Sequence, residues 1–570
     1  MEYLIFAAVI LGFIVLFMVK GFFDYKKSQK EFIRRLRKDY GVLPQKEYKP
    51  EKFENISHYF LKHQDGFVID DITWNDLNMD DVFKRMNYTY SAAGEEYLYY
   101  LLRKPCCEEE ALSHREEIIE FFRNNPDERV AFQFIFSMLG GTGKFSIYDY
   151  LDYLDDLGNR SNLPHYLMIV LIFLSVGSLF VNLPMGILLL ACVLIYNNMS
   201  YFRVKSQIDP YIVSFAYVFR ILDAVKKLQP YRIAELKEEL SRLKSCSAAM
   251  NGFRRGSFLL MSGGRMSGSG NPLEMLLDFV RMGFHLDLIK FNQMLSQVRR
   301  HISEIDEMIG ILGGIEALIA VGAWRESLDS YCIPSFAKRM GFSAKGLYHP
   351  LIENPVKNDM ATEKSVLITG SNASGKSTFL KTAALASIFA QTVHTVPADS
   401  YTGFLCRPMS SMSLRDDVQG GDSYYMVEIK ALKRILDLTV TDGLPVLCFV
   451  DEVLRGTNTI ERIAASTQIL KSISLKNSMC YAATHDIELT YLLEEYYSNY
   501  HFEEEIAEND ISFSYKIMEG RATTRNAIKL LGIMGYAPDI IREAEDMAGD
   551  IALQGYYSQN CGGRRTKKTS

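Results

Sequence analysis

Hydrophobic and polar positions follow several distinct rhythms along this chain. Tyr3 to Val19 is an unbroken apolar run, long enough to cross a bilayer as one helix. Glu2 precedes it, and Lys20, Lys26, Lys27, Lys30, Arg34, Arg35, Arg37 and Lys38 follow. A secretory leader carries its positive charge before the apolar stretch, so this run reads as an uncleaved anchor. A cleaved or peripheral segment is the alternative. The charge asymmetry predicts that the chain after Lys20 lies in the cytoplasm. A second apolar zone runs from Leu163 to Tyr201, broken by Val181-Asn182-Leu183-Pro184. It is too long for one ordinary crossing and suits two short ones joined by a tight turn. A buried hairpin of a soluble core would give the same pattern. Two crossings return the chain to the cytoplasm, and Arg203 and Lys205 agree with that exit.

Between and after these zones the period is helical. Residues 21–162 are mixed and mostly helical, and residues 205–335 strongly so. Leu288, Phe291, Leu295, Val298, Ile302, Ile305 and Ile309 recur at steps of three and four, which predicts one long helix packed on another. Ile233, Leu236, Leu240 and Leu243 repeat the pattern upstream. The Gly- and Ser-rich stretch from Ser262 to Gly270 predicts a flexible loop. From about Gly341, short β-rich runs alternate with helices, the mark of an α/β domain with a mostly parallel sheet. The residues after about Gly555 are polar and end in Arg564-Arg565-Thr566-Lys567-Lys568, predicting a disordered tail. The expected divisions are therefore an anchor at 1–20, a cytoplasmic helical region at 21–162 and a transmembrane hairpin at 163–201. Helices at 202–340, an α/β domain at 341–550 and a basic tail at 551–570 complete the chain.

Composition changes this picture little. A chain of 570 residues, 48% apolar and 23% charged, has room for several folded domains. A net charge of −6 neither supports nor excludes nucleic acid, because a local basic patch is compatible with an acidic whole. The nine cysteines are scattered without the spacing of a zinc site, as expected of reduced cytosolic thiols.

The chemistry concentrates after residue 365. The apolar run Ser365-Val366-Leu367-Ile368-Thr369 leads directly into Gly370-Ser371-Asn372-Ala373-Ser374-Gly375-Lys376-Ser377, and Thr378 to Ala390 then reads as a helix. This is a Walker A loop in its required strand–loop–helix setting. Its backbone N–H groups turn toward the phosphates of ATP, aided by the helix N-terminus. Lys376 supplies a cation for the β- and γ-phosphates, Ser377 a hydroxyl for Mg²⁺, and Thr378 completes the nucleotide-binding run. Gly140-Gly141-Thr142-Gly143-Lys144 only imitates it, because Met138 and Phe145 stand where glycine and a hydroxyl are needed. A second apolar strand, Pro445 to Val450, ends in Asp451-Glu452. There Asp451 would hold Mg²⁺ through water and Glu452 would activate the attacking water. Ser478 to Ala483 brings Thr484-His485 to the same edge, where His485 can contact the γ-phosphate or the water.

ABC transporter ATPases share these elements but carry a Leu-Ser-Gly-Gly-Gln signature, and Ala431 to Asp437 contains none. Instead, Asp416-Asp417-Val418-Gln419-Gly420-Gly421-Asp422-Ser423-Tyr424-Tyr425-Met426-Val427-Glu428 resembles the MutS family of DNA mismatch-repair ATPases. The resemblance includes His349-Pro350-Leu351 and the lead-in Pro355-Val356-Lys357-Asn358-Asp359, which implies a nucleotide contact for Asn358. It continues through the Walker A loop, through Asp451 to Thr459, and through Ala483 to Thr490. Upstream, Thr89 to Leu98, with Leu101, Pro105 and Arg115, looks like the start of the family's helical lever. The family implies an ABC-like α/β P-loop domain behind an α-helical lever, here combined with transmembrane helices. It also implies a homodimer with composite sites, in which the Gly420-Gly421-Asp422-Ser423 turn reaches the partner's γ-phosphate. DNA binding and a mismatch-repair-related role come with it.

Several departures qualify the resemblance. The lever-like motif begins near Asp81, which is expected to leave no room for a mismatch-reading domain. Arg525-Asn526-Ala527-Ile528 stands where the family usually has Ser-Tyr-Gly-Ile, and no nuclease domain is expected after the ATPase. The reading is thus an ATP- and Mg²⁺-dependent ATPase integral to the cell membrane, its ATPase domain facing the cytoplasm. Lys20 to Lys38 could serve anionic lipid headgroups as well as DNA. The rival is an ATP-driven membrane mechanoenzyme that moves the hairpin or an unknown partner protein and never meets DNA. A degenerate module that only senses ATP is a third option, against which Lys376 and Glu452 argue.

Overall fold

The computed structural model describes residues 2–48, 50–142, 146–158, 160–208, 211–254, 280–371, 374–412, 424–454, 457–507, 510–522, 528, 531 and 535–548. Asn372, Ala373, the Gly420–Ser423 turn, the Ser262–Gly270 stretch, Arg525–Ala527 and the C-terminal tail lie outside the described residues. The chain forms two compact units.

The first unit comprises Met1–Val68, Phe83–Lys104 and Glu110–Leu328, and its described elements are helices. The N-terminal helix, Glu2–Lys38, ends on Arg35, Arg37 and Lys38, cations suited to the partial negative charge of a helix C-terminus. The second apolar zone forms two helices, Leu163–Ser178 and Leu183–Ile208, reversing at the Asn182 turn. Asn182 closes that turn by accepting the Met185 N–H on its side chain at 3.3 Å and the Gly186 N–H on its carbonyl at 2.8 Å. The hairpin is not buried in a soluble core. Phe173, Leu188 and Ile195 are each about 60% exposed, and Phe180 at the tip is 90% exposed. Among the described residues one helix, Leu183–Ile208, is long and apolar enough to cross a membrane, and Leu163–Ser178 is a shorter apolar helix.

Polar groups tie the base of the hairpin to the start of the Leu286–Arg300 helix. Tyr201 Oη and Lys205 Nζ both donate to Asp287, at 2.7 and 2.6 Å, and His165 meets His285 at 3.0 Å. The long seam expected from Leu288 to Ile309 is two helices, not one: Leu286–Arg300 and Ile302–Glu326. His301 leaves the helical region (φ −119°, ψ 33°), its N–H closing the first helix on the Gln297 and Val298 carbonyls. Its ring meets Glu304 in the first turn of the next helix at 2.9 Å. Leu288, Phe291, Leu295, Val298, Ile305 and Ile309 are buried as expected, whereas Ile302, the first residue after the break, is 40% exposed. A bend at one residue preserves the spacing of three and four, so periodicity alone does not register it.

The second unit comprises Ile69–Val82, Pro105–Glu109 and the chain from Asp329. Its smaller sheet contains β1 (Ser335–Phe336), β2 (Phe342–Leu347), β3 (Asn358–Thr362) and β5 (Ser400–Gly403), in the order β1-β5-β2-β3. The larger contains β4 (Ser365–Thr369), β6 (Arg407–Ser411), β7 (Val446–Asp451), β8 (Ser478–Ala483), β9 (Tyr497–Ala507) and β10 (Asp510–Glu519), in the order β10-β9-β4-β8-β7-β6. From β9 to β6 every pairing is parallel, and β10 is an antiparallel edge. The strands β4, β7 and β8 are buried at every position, as largely apolar runs in a covered parallel sheet should be, and β6 is equally buried although it carries Arg407, Ser410 and Ser411. The short helix Asp71–Asp76 belongs here. Thr73 and Asp76 accept from the Ser410 and Met412 N–H groups that follow the β6 edge, at 3.1 and 2.9 Å. Nothing in the period of that segment announced this docking, because its ties are side chains to strand backbone.

Candidate nucleotide site

The pairing register brings the predicted motifs together. Ile368 in β4 and Asp451 in β7 both sit opposite Ala483 in β8, so the three strands end in one row. Gly370, Glu452 and Thr484 leave that row on the same side. Two further backbone bonds lock it: Thr484 N–H to the Ile368 carbonyl and Glu452 N–H to the Ala483 carbonyl, both 2.9 Å.

The loop after β4 depends on its glycines. Gly370 (φ +144°) and Gly375 (φ +105°) occupy backbone conformations that side chains strain. A Cβ on Gly370 would also stand 2.9 Å from the Phe502 carbonyl oxygen. Ser374 Oγ donates to the Ser371 carbonyl at 2.8 Å and tightens the turn. Lys376 is buried, and its Nζ donates to the carbonyls of Gly370 and Ser371 at 2.6 and 2.5 Å. Lys376 opens the helix Lys376–Thr392, which has no acidic residue in its first turn to offset the N-terminal partial charge. Ser377 is half-buried and Thr378 exposed in that same turn.

Asp451 closes β7 at the edge of the buried core. Beyond it the backbone turns through Glu452 (φ 57°) and Leu454 (φ 60°), two left-handed residues that each carry a Cβ. Glu452 Oε1 lies 2.9 Å from His485 Nε2, which joins the ends of β7 and β8 directly. After the turn, Asn458 caps the helix Thr459–Ser474 by accepting from the Ile460 and Glu461 N–H groups, each at 3.1 Å. Arg462 on that helix makes two parallel bonds to Asp486, at 2.9 and 2.6 Å, next to His485 in the chain.

A cavity of about 470 Å³ lies against the loop after β4, lined by His349, Pro355, Asn358, Phe379, Phe502 and Tyr515. Burial, then the nearby Lys381, pushes the His349 pKa down to about 4, so its ring is neutral at physiological pH. Asn358 lines this cavity, but its amide is occupied with backbone. It donates to the Val356 and Tyr515 carbonyls at 3.3 and 3.0 Å and accepts from Ile517 N–H at 2.8 Å. These bonds hold the β10 irregularity between Phe513 and Ile517, which aims Tyr515 at Gly375. The Arg462–Asp486 clamp and the Phe502–Tyr515 wall are contributions that the motifs do not contain. Asp486 stood inside a recognised motif, but its partner lies 24 residues away on another helix.

Residues 366–552 match the family model of MutS domain V. Over these residues the chain is similar to MutS domain V. It is 30% identical over 276 residues to the DNA mismatch repair protein MutS of Pseudothermotoga lettingae, covering 46% of this chain and 33% of that protein. Against the DNA mismatch repair protein MutS of Lactobacillus delbrueckii subsp. bulgaricus the identity is 28% over 295 residues, 50% of this chain and 34% of the relative. The chain thus spans about a third of the length of the curated MutS relatives it matches.

Proposed function

We propose that this MutS-like chain is a Mg²⁺-dependent ATPase that works as a homodimer, anchored in the cell membrane with its ATPase unit in the cytoplasm. The observation that carries the hydrolytic reading is the Glu452–His485 contact beside the Walker A loop, at the shared end of β4, β8 and β7. Phosphoryl transfer needs positioning and charge compensation more than covalent help. The loop N–H groups and Lys376 hold the triphosphate. Neutral His349 and the aromatic walls of the adjacent cavity suit the flat base. Ser377 and Asp451 offer hydroxyl and carboxylate oxygens, the hard donors Mg²⁺ prefers. When bound there, Mg²⁺ offsets negative charge on the β- and γ-phosphate oxygens. Glu452, oriented by His485, accepts a proton from water. The water oxygen then bonds to the γ-phosphorus as the bond to the β–γ bridging oxygen breaks, leaving ADP and phosphate.

The relatives' names supply the DNA hypothesis, and the exposed apolar hairpin favours a second reading, an ATP-driven membrane mechanoenzyme that does not bind DNA. One experiment addresses both: ATPase rate in nanodiscs, with and without homoduplex, mismatched and branched DNA. Glu452→Gln should still bind ATP but lose turnover by about a hundredfold or more and accumulate the dimer. Unchanged turnover removes Glu452 from its role. Rate enhancement by DNA at low salt, lost as salt rises, supports the DNA reading. Indifference to every DNA favours the mechanoenzyme.

A further inference from the structure

The left-handed turn that presents Glu452 is held at each of its three residues. Glu452 N–H is bonded to Ala483 of β8, and the Val453 carbonyl accepts from Ser466 Oγ at 3.2 Å. The third tie comes from elsewhere. Leu454 N–H donates to the Glu428 carboxylate, Oε1 at 2.5 Å. Glu428 is 3% exposed and lies in the first turns of the helix Tyr424–Thr439. A buried side-chain oxygen that accepts a backbone N–H satisfies a donor that water cannot reach. Leu454 is itself buried, so without Glu428 its N–H would be left in an apolar setting.

We propose that Glu428 is a positioning residue for ATP hydrolysis, fixing through the Leu454 amide the turn that aims Glu452 at its water. The inference rests on the ATPase reading above and extends it. Ser423, the last residue of the candidate trans signature, lies five positions before Glu428. Glu428 ties the turn to the helix Tyr424–Thr439, whereas the other two ties anchor it to β8 and to the following helix.

The test compares Glu428→Ala with Glu428→Gln in the full-length protein in nanodiscs. Gln keeps an oxygen that can accept the Leu454 N–H. The expected result is a fall in kcat of about tenfold or more for Glu428→Ala with KM for ATP within about threefold of wild type, and near wild-type kcat for Glu428→Gln. Wild-type kcat in Glu428→Ala, or equal losses in both variants, overturns the proposal. Hydrogen exchange over residues 452–458 supplies a second readout that does not depend on turnover. Faster exchange in Glu428→Ala but not in Glu428→Gln supports the tie, and unchanged exchange in both refutes it. If wild type hydrolyses no ATP, the ATPase reading falls, and the exchange comparison alone then decides whether Glu428 holds the turn.

Discussion

Single residues in this protein carry more consequence where burial and charge meet. Glu316, on the Ile302–Glu326 helix, is buried and accepts from the backbone N–H groups of Tyr90 and Ser91 and from Ser91 Oγ. Burial outweighs those bonds and raises its pKa from the ordinary 4.5 to about 7. Between those values the folded state holds a proton that the unfolded state has released, so stability should fall as pH rises through the window and level off above it. Glu96, raised well above its ordinary value by burial, acts with the same sign. Glu316→Gln cannot ionise. It should flatten the decline in Tm between about pH 5 and about pH 7.5, and an unaltered decline would assign the dependence to other groups. Periodicity marks the position as a core-facing turn of helix, but the choice of an acid there makes sense only once Tyr90 and Ser91 are its neighbours.

At the scale of elements, the helices flanking the candidate site are tied to one another by side chains more than by sequence proximity. The Thr459–Ser474 helix begins on the Asn458 cap and reaches the helix Ile487–Leu492 through Arg462 and Asp486, the residue preceding it. Both partners are partly exposed, at 25% and 13%, so solvent screening limits the pair to about 1 kcal/mol despite its parallel geometry. Arg462→Met and Asp486→Asn should each lower the melting temperature by about 2–4 °C. A double-mutant cycle should recover about 0.5–1 kcal/mol of coupling, whereas strictly additive losses would mean that the two helices are held independently. The break at His301 is a lesson at the same scale. The sequence pattern names which residues share a face, and the backbone of one residue decides whether that face belongs to one helix or two.

For the molecule as a whole, the apolar hairpin raises the question of location. The Leu183–Ile208 helix is about 39 Å long at 1.5 Å per residue, enough for a hydrocarbon layer of about 30 Å. The other leg, Leu163–Ser178, is about 24 Å and needs the turn residues to complete a crossing. Phe180 and Val181 at that turn are almost fully exposed, an arrangement that water disfavours and lipid does not. The expected outcome of alkaline carbonate extraction is that the full chain stays with the membrane fraction. Release into the supernatant would defeat the integral-membrane proposal and leave the hairpin to be covered by protein.

Residue order was sufficient to locate the glycine-bearing loop after β4, the Asp451-Glu452 strand end, His485 and the largely parallel α/β domain, whose candidate roles remain proposals. Each depends on local chemistry: glycines that permit a turn, apolar runs that demand burial, acids placed directly after a strand. It was also sufficient to find the hairpin, because an uninterrupted apolar run is visible without knowing its neighbours. The tertiary structure alone decided which strands lie side by side, and hence that Ile368, Ala483 and Asp451 share a row. It decided that Glu428 supports Leu454, that Asn358 spends its amide on backbone, and that Asp71–Asp76 docks on β6. Those contacts join positions up to several hundred residues apart, where no period or motif links one partner to the other, and only the packing of hydrophobic faces brings them within hydrogen-bond reach.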